Sequence, residues 1–184
     1  MSDHTPAMAT EIIKFWFDAG PKKWWIKDKE FDQTITDRFS GVHKAARTGA
    51  CDDWAETAEG SLALTLVLDQ FSRNMFRNDP RAFAQDEQAR NIARHAIGNG
   101  FDQAFPVARR AFFYLPFMHH EDLASQDYCV SLYRAAGDEN GLVHAQEHAE
   151  IIRRFGRFPH RNEVLGRFTS PAEQAFLDAG GFSG

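Results

Sequence analysis

Ser61-Leu62-Ala63-Leu64-Thr65-Leu66-Val67-Leu68-Asp69-Gln70-Phe71-Ser72-Arg73-Asn74-Met75-Phe76-Arg77 is the stretch whose reading decides the fold. Leu62, Leu64, Leu66, Val67 and Leu68 place apolar groups on every side of a helix, which marks its first half as buried all round rather than peripheral. The second half changes character. At about 100° per residue, Asp69, Gln70, Arg73, Asn74 and Arg77 fall in one arc, the arc that Leu62 and Leu66 occupy earlier. A polar stripe therefore continues an apolar one, toward the interior edge of the molecule, where unpaired charges cost several kcal/mol. Asp69 and Arg73, four residues apart, suit pairing with each other. Two readings stand side by side: an ion-pair network that locks neighbouring helices, and a pocket in which Arg73, Asn74 and Arg77 hold a carboxylate or phosphate.

Outward from this helix the chain reads as helical almost throughout, with strand patterns almost nowhere. A short apolar helix through Ile12, Ile13, Phe15, Trp16 and Phe17 stops at Gly20-Pro21, and Trp24-Trp25-Ile26 follows as an apolar plug. Asp28 caps a helix with Phe31, Ile35, Phe39 and Val42 on one face. Asp79-Pro80 opens a helix to about Ile97. Further helices are expected over roughly 106–118, 122–136, 142–155 and 170–179, the last begun by Ser-Pro-x-Glu. The fold class is all-α: a single compact domain of about eight or nine helices in antiparallel pairs, tetratricopeptide-like in kind. With 184 residues, 43% of them hydrophobic and 17 of them Phe, such a chain hides roughly 70% of the surface that its unfolded form exposes.

Charge and cysteine usage exclude several classes. The 21 Lys and Arg against 26 Asp and Glu give a net charge of -5, which argues against a general nucleic-acid or anionic-membrane surface. Cys51 and Cys129 lack C-x-x-C spacing and read as free thiols in a reducing compartment. No secretory pattern opens the sequence and no run approaches about 20 apolar residues, so the cytoplasm is the expected location. Glycine-rich phosphate loops, a nucleophile-elbow serine and an acidic calcium loop are all missing, and no cofactor is implied.

A second stretch concentrates chemistry. Arg153-Arg154-Phe155-Gly156-Arg157-Phe158-Pro159-His160-Arg161-Asn162 packs four arginines, a histidine and two phenylalanines into ten residues of an acidic protein. Either an anion or internal carboxylates must answer that density. Arg157, Arg161 and Asn162 are the candidate ligand-binding residues here, alongside Arg73, Asn74 and Arg77. Before it, His144 and His148 sit one turn apart on the face of Ile151, Ile152 and Phe155, and both are expected to be shielded. Their His-x-x-Glu-His spacing matches an inverted zinc-protease motif, but Glu147 falls off the histidine line and no third ligand is in evidence, so no metal is assigned. Pro116 should kink or end its helix and aim His119, His120 and Glu121 away from the axis. A histidine beside a carboxylate suits general acid or base work, which makes His119, His120, Glu121, His148 and His160 the catalytic candidates.

Together, Leu68-Asp69-Gln70-Phe71-x-Arg73-Asn74-x-x-Arg77, Arg81-x-Phe83-x-x-Asp86, Tyr114-Leu115-Pro116-Phe117, Glu121-Asp122 and Arg154-Phe155-Gly156-Arg157-Phe158-Pro159-His160-Arg161-Asn162-x-x-Leu165-Gly166-Arg167 resemble the bacterial family catalogued as domain of unknown function nine-two-four. The likeness runs from Phe15-Trp16-Phe17 to Phe176-Leu177. It implies a fold similar to tetratricopeptide-type helical pairs, and no known reaction, substrate or cofactor. His148 matches a histidine of the family pattern and His144 does not. His119-His120-Glu121 stands where the family usually reads His-Ser-Glu, so no serine role carries over.

Two functions of different class follow. In the first, a helix-lined pocket binds a small anionic ligand, phosphate or carboxylate, through arginines, with histidine acid/base chemistry. The alternative is a non-enzymatic, helical-repeat-like module that holds an acidic peptide or protein partner on a concave face. Neither involves nucleic acid or a membrane.

Overall fold

A computed structural model describes residues 6–182, and among these the regular structure is entirely helical. The tertiary contacts gather into two compact units. The first comprises the chain up to Arg77 together with Arg81–Pro116, and the second comprises Asn78–Pro80 together with the chain from Phe117 onward. No helix among the described residues is long and apolar enough to cross a membrane.

In the first unit, α1 (Ala7–Ala19) buries Ala9, Ile12, Ile13 and Trp16. The one-turn α2 (Pro21–Trp24) follows directly on Gly20. Of the expected apolar plug only Trp24 packs inward. Its ring lies 5.1 Å from Phe112 and its indole N–H donates to Trp16 O at 2.7 Å, whereas Trp25 and Ile26 are exposed. Asp28 caps α3 (Lys29–Arg47) by accepting from the Glu30 and Phe31 amides. The buried stripe of α3 runs Phe31, Ile35, Phe39, His43, Ala46, so His43 takes the place expected of Val42. His43 is tolerated there because its Nε2 lies 2.9 Å from Ser72 Oγ. That hydroxyl already donates to Leu68 O at 2.6 Å, which leaves its oxygen to accept from the imidazole.

Residues 58–75 form one continuous helical rod, but not a uniform α-helix. Regular turns, α4 (Ala58–Thr65) and α5 (Ser72–Met75), flank a π-helical segment, Leu66–Phe71. Ser61 through Ser72 are buried without a break. Wide π turns disturb the usual backbone pairing, and side chains supply partners for carbonyls in this region: Ser72 donates to Leu68 O, and Arg73 donates to Asp69 O at 2.9 Å. α4 packs against α1 and against α6 (Asp86–Gly98), while the π segment packs on α3. The single helix expected from Pro80 to Ile97 is instead a 3-10 turn, Pro80–Phe83, followed by α6. That break sets Asp86 in the first turn of α6, where its carboxylate meets Arg73.

α7 (Val107–Met118) continues two residues past Pro116 before it stops, and the chain passes into the second unit there. Asp122 caps α8 (Leu123–Ala136), and Asp138 caps α9 (Glu139–Phe155) by accepting from Gly141 N at 2.9 Å. Two linking residues, Gly137 and Asp138, make α8 and α9 an antiparallel hairpin. Gly141 is obligatory in this hairpin. A Cβ there would stand 2.3 Å from the buried Tyr133 ring of α8. Gly156, at φ +69°, ends α9 and turns the chain back into a 3-10 turn over Pro159–Arg161. α10 (Pro171–Asp178) packs on that turn and starts with the expected capping box between Ser170 and Glu173. Ile151, Ile152 and Phe158 form the core of this region, with Phe155 and Phe176 against it.

Candidate functional site

The first unit holds three of the predicted ligand residues and answers each from within. Arg73 directs Nη1 and Nη2 to the two Asp86 oxygens at 2.9 and 3.0 Å, and Nη1 also lies 3.0 Å from Asp69 Oδ1. Burial disfavours its charge, yet Asp69 and Asp86 outweigh burial and raise its pKa. Arg77 forks onto Asp32 through Nε and Nη2, and Asn74 donates to the same carboxylate at 2.7 Å. Asp69 is wholly buried and accepts from Gln70 at 2.7 Å. This is the arrangement of an internal network that ties α3, the π segment, α5 and α6 together.

The second unit gathers Glu121, His148, Arg157, His160, Arg161 and Asn162 around the turn after α9. Glu121, just beyond α7, accepts from both Arg167 Nη atoms at 2.7 and 3.0 Å and from the Phe158 amide at 2.7 Å. Burial raises its pKa, but Arg167, the Phe158 N–H and the charge of Arg161 together hold it below the usual carboxylate value. Arg157 forks onto Glu173 at 2.6 and 2.9 Å and donates to Phe168 O at 2.7 Å. The Arg157 pair, with the Ser170 capping bonds, depresses Glu173 strongly. Glu173 thus performs two tasks, capping α10 and anchoring Arg157. The capping-box pattern announces only the first.

Arg161 is buried, with its guanidinium 4.6 Å from the centre of the Phe158 ring. On that ring's other contacts lie two imidazoles: His148 at 5.5 Å and His160 at 5.7 Å between centroids. His148 Nδ1 lies 2.8 Å from His144 O, which requires an N–H at that nitrogen and leaves Nε2 as the basic atom. Burial pushes His148 down to about 4, opposed by its bond to the His144 carbonyl and aided by the charges of His119, Arg161 and His144. His160 falls further, to about 3, through burial and the charges of Arg161 and His148, with Glu121 pulling the other way. Both are therefore neutral imidazoles beside arginines.

The cluster holds buried polar atoms that lack a regular hydrogen bond among the described residues, including His160 Nδ1, Arg167 Nε, and the oxygen and nitrogen of the Asn162 carboxamide. Asn162 is completely buried. A hydrogen-bonding contact from the Asn162 side chain helps to lower the Glu173 pKa, although its geometry falls short of satisfying the buried amide. Native buried polar atoms are nearly always satisfied, so such a group marks a place of interest.

Two catalytic candidates, His119 and His120, lie apart from this core, as does His144. His120 pairs through Nδ1 with Asp122, and the Ser125 bonds and His120 hold that carboxyl at about 2 against the effect of burial. His119 follows α7 half-buried and near enough to His148 to depress it. His144 is exposed, with Nδ1 3.2 Å from Glu147, so the expectation that both histidines of α9 are shielded holds for His148 alone. At about 100° per residue His144 falls in the same arc as His148 and Ile151, so its exposure comes from its place in the second turn of α9, ahead of the buried residues on that side. Arg167, Glu173 and Phe182 complete the cluster without having been singled out as site residues. Arg167 stood within a quoted motif and Phe182 was visible only as an aromatic near the end of the sequence.

No functionally curated protein matches the chain. A solved structure of a protein of unknown function from Agrobacterium tumefaciens is similar to it, with 48% sequence identity and a TM-score of 0.91, over 94% of this chain and 98% of that one. The model of a family described as bacterial proteins of unknown function (DUF924) matches residues 12–181, and that span includes the carboxylate-held arginines of the first unit and, apart from Phe182, the histidine–arginine cluster of the second. The chain belongs to this family of bacterial proteins of unknown function.

Proposed function

We propose that the second unit binds a small anion, a phosphate or carboxylate, at His148, His160, Arg161 and Asn162, and that an imidazole takes up a proton as the anion binds. The observation that carries this reading is the set of buried polar atoms on His160 and Asn162 that lack a regular hydrogen bond, set in the neighbourhood of Arg161 and Arg167. An amide N–H and a guanidinium fork are the donors that phosphate and carboxylate oxygens accept. A nearby negative charge offsets the arginine field that keeps the imidazoles neutral, so binding raises their pKa values and draws in a proton. Glu121 fixes Arg167 and the Phe158 amide in place, and Arg157 ties the turn to α10. The internal carboxylates around Arg73, Asn74 and Arg77 support a structural role for those three. The buried free thiols Cys51 and Cys129 support a cytoplasmic location.

Thermal unfolding with inorganic phosphate, sulfate and short dicarboxylates tests the proposal, with His160→Gln and Arg161→Lys measured at the same salt so that general anion effects cancel. A probe at about 100 times its dissociation constant adds about 2.7 kcal/mol, or roughly 5 to 11 °C for a chain of this size. The expected result is a shift in the parent protein, larger at pH 6 than at pH 8 and lost in both variants. Equal shifts in all three proteins, or none with any probe, refute the proposal.

A further inference from the structure

Phe182 makes a contact that the anion reading leaves unexplained. Its ring meets His148 edge-on at 4.4 Å and His160 at 5.1 Å between centroids, and the buried Phe158 touches the same two imidazoles. Four rings therefore form one cluster of edge-on and tilted contacts, in which Phe158 is fully buried and Phe182 is 41% exposed. The backbone that delivers Phe182 is itself fixed. α10 closes with Gly180 N donating to Leu177 O and Gly181 N to Phe176 O, both at 3.0 Å, the paired bonds of a Schellman end. Gly181 is pressed so closely on Phe176 that a Cβ would stand 2.6 Å from its carbonyl oxygen. Beyond that anchor, the Phe182 ring meets the two histidines.

We infer that the place held by Phe182 is an aryl subsite, and that the ligand of the His148–His160 site is an anion carrying an aromatic ring, which displaces Phe182 on binding. This rests on the anion reading above and names its substrate class. An imidazole pair that presents its faces and edges to a phenyl ring gives an aryl group the offset and edge-on contacts that aromatic rings favour. Arg161 lies close enough to both imidazoles to depress them, so it stands where the ligand's charged group would be received. Phe182 is the occupant a ligand must remove, since only the fraction of molecules with the subsite open is competent to bind.

The test compares the parent protein with Phe182→Ala and Phe182→Trp, using phenyl phosphate and inorganic phosphate as probes in titration calorimetry. Removing the internal ring should tighten phenyl phosphate about tenfold and change inorganic phosphate by less than about twofold, while Phe182→Trp stays near the parent. In parallel, the His148 and His160 ring protons should lose a ring-current shift in Phe182→Ala and regain one when phenyl phosphate is added. Should both probes bind with the same affinity to the parent and to Phe182→Ala, the aryl subsite is refuted while the anion site stands. Equal gains for both probes make Phe182 a plain obstruction and also refute it. No binding of either probe to any of the three proteins removes both readings together.

Discussion

Glu121→Ala should strongly destabilise the second unit. The carboxylate accepts three hydrogen bonds, two from Arg167 at 2.7 and 3.0 Å and one from the Phe158 amide at 2.7 Å. The side chains of Glu121 and Arg167 are each only about a quarter exposed, so water replaces these bonds poorly. A bond to a charged group contributes about 1.5 to 3 kcal/mol, and breaking a buried pair from one side costs about 3 to 5 kcal/mol because the other charge is stranded. Partial exposure of both groups places the expected loss at about 3 kcal/mol, or roughly 6 to 12 °C in Tm. Glu121→Gln keeps an acceptor for the Phe158 amide and should lose about half as much. All four tryptophans, Trp16, Trp24, Trp25 and Trp54, lie in the first unit, so far-UV circular dichroism is the better probe of denaturation than tryptophan fluorescence. A double-mutant cycle with Arg167→Met isolates the pair and should return a coupling of about 1.5 to 3 kcal/mol. A loss under about 1 kcal/mol for Glu121→Ala, or no coupling, would show that this contact does not hold the turn, and the account of how the site is positioned would fail with it.

Acid should destabilise the protein through its buried histidines. His148 and His160 lie at about 4 and about 3 in the folded state, below the ordinary value near 6.5, so the unfolded chain binds more protons between those limits. Stability is therefore complete above about pH 6.5 and falls as pH drops toward 4, by about 1.4 kcal/mol per pH unit for each histidine. Unfolding midpoints measured from pH 7.5 to 4.5 should show this slope, and His148→Gln should flatten it; an unchanged slope in that variant would refute the burial argument. Asp32→Ala strands Arg77 and the Asn74 amide and should cost about 2 to 3 kcal/mol while leaving any phosphate-induced shift intact. If the shift vanished in this variant, the first-unit arginines would be ligand residues after all.

What the sequence determined by itself rests on local and periodic signals. The all-helical class follows from 3.6-residue apolar spacing and from caps at Asp28, Asp122 and Ser170, which act within four residues of chain. Burial on all sides of 62–68 was legible because Leu62, Leu64, Leu66, Val67 and Leu68 leave no polar face there. The π segment was not legible, since a wide turn leaves no mark in composition, and neither was the break before Asp86. Partner choice belonged wholly to the tertiary structure. Arg73 and Arg77 read equally well as ligand groups until Asp86 and Asp32, 13 and 45 residues away in sequence, were seen to face them. Arg167 and Glu121 are 46 residues apart, and the ring cluster of Phe158, His148, His160 and Phe182 draws on α9, the turn after it and the chain beyond α10. Periodicity tells which side of a helix is buried, but only the packing of helices decides which charges and rings meet on it, because those contacts are made across chain distances that no local pattern encodes.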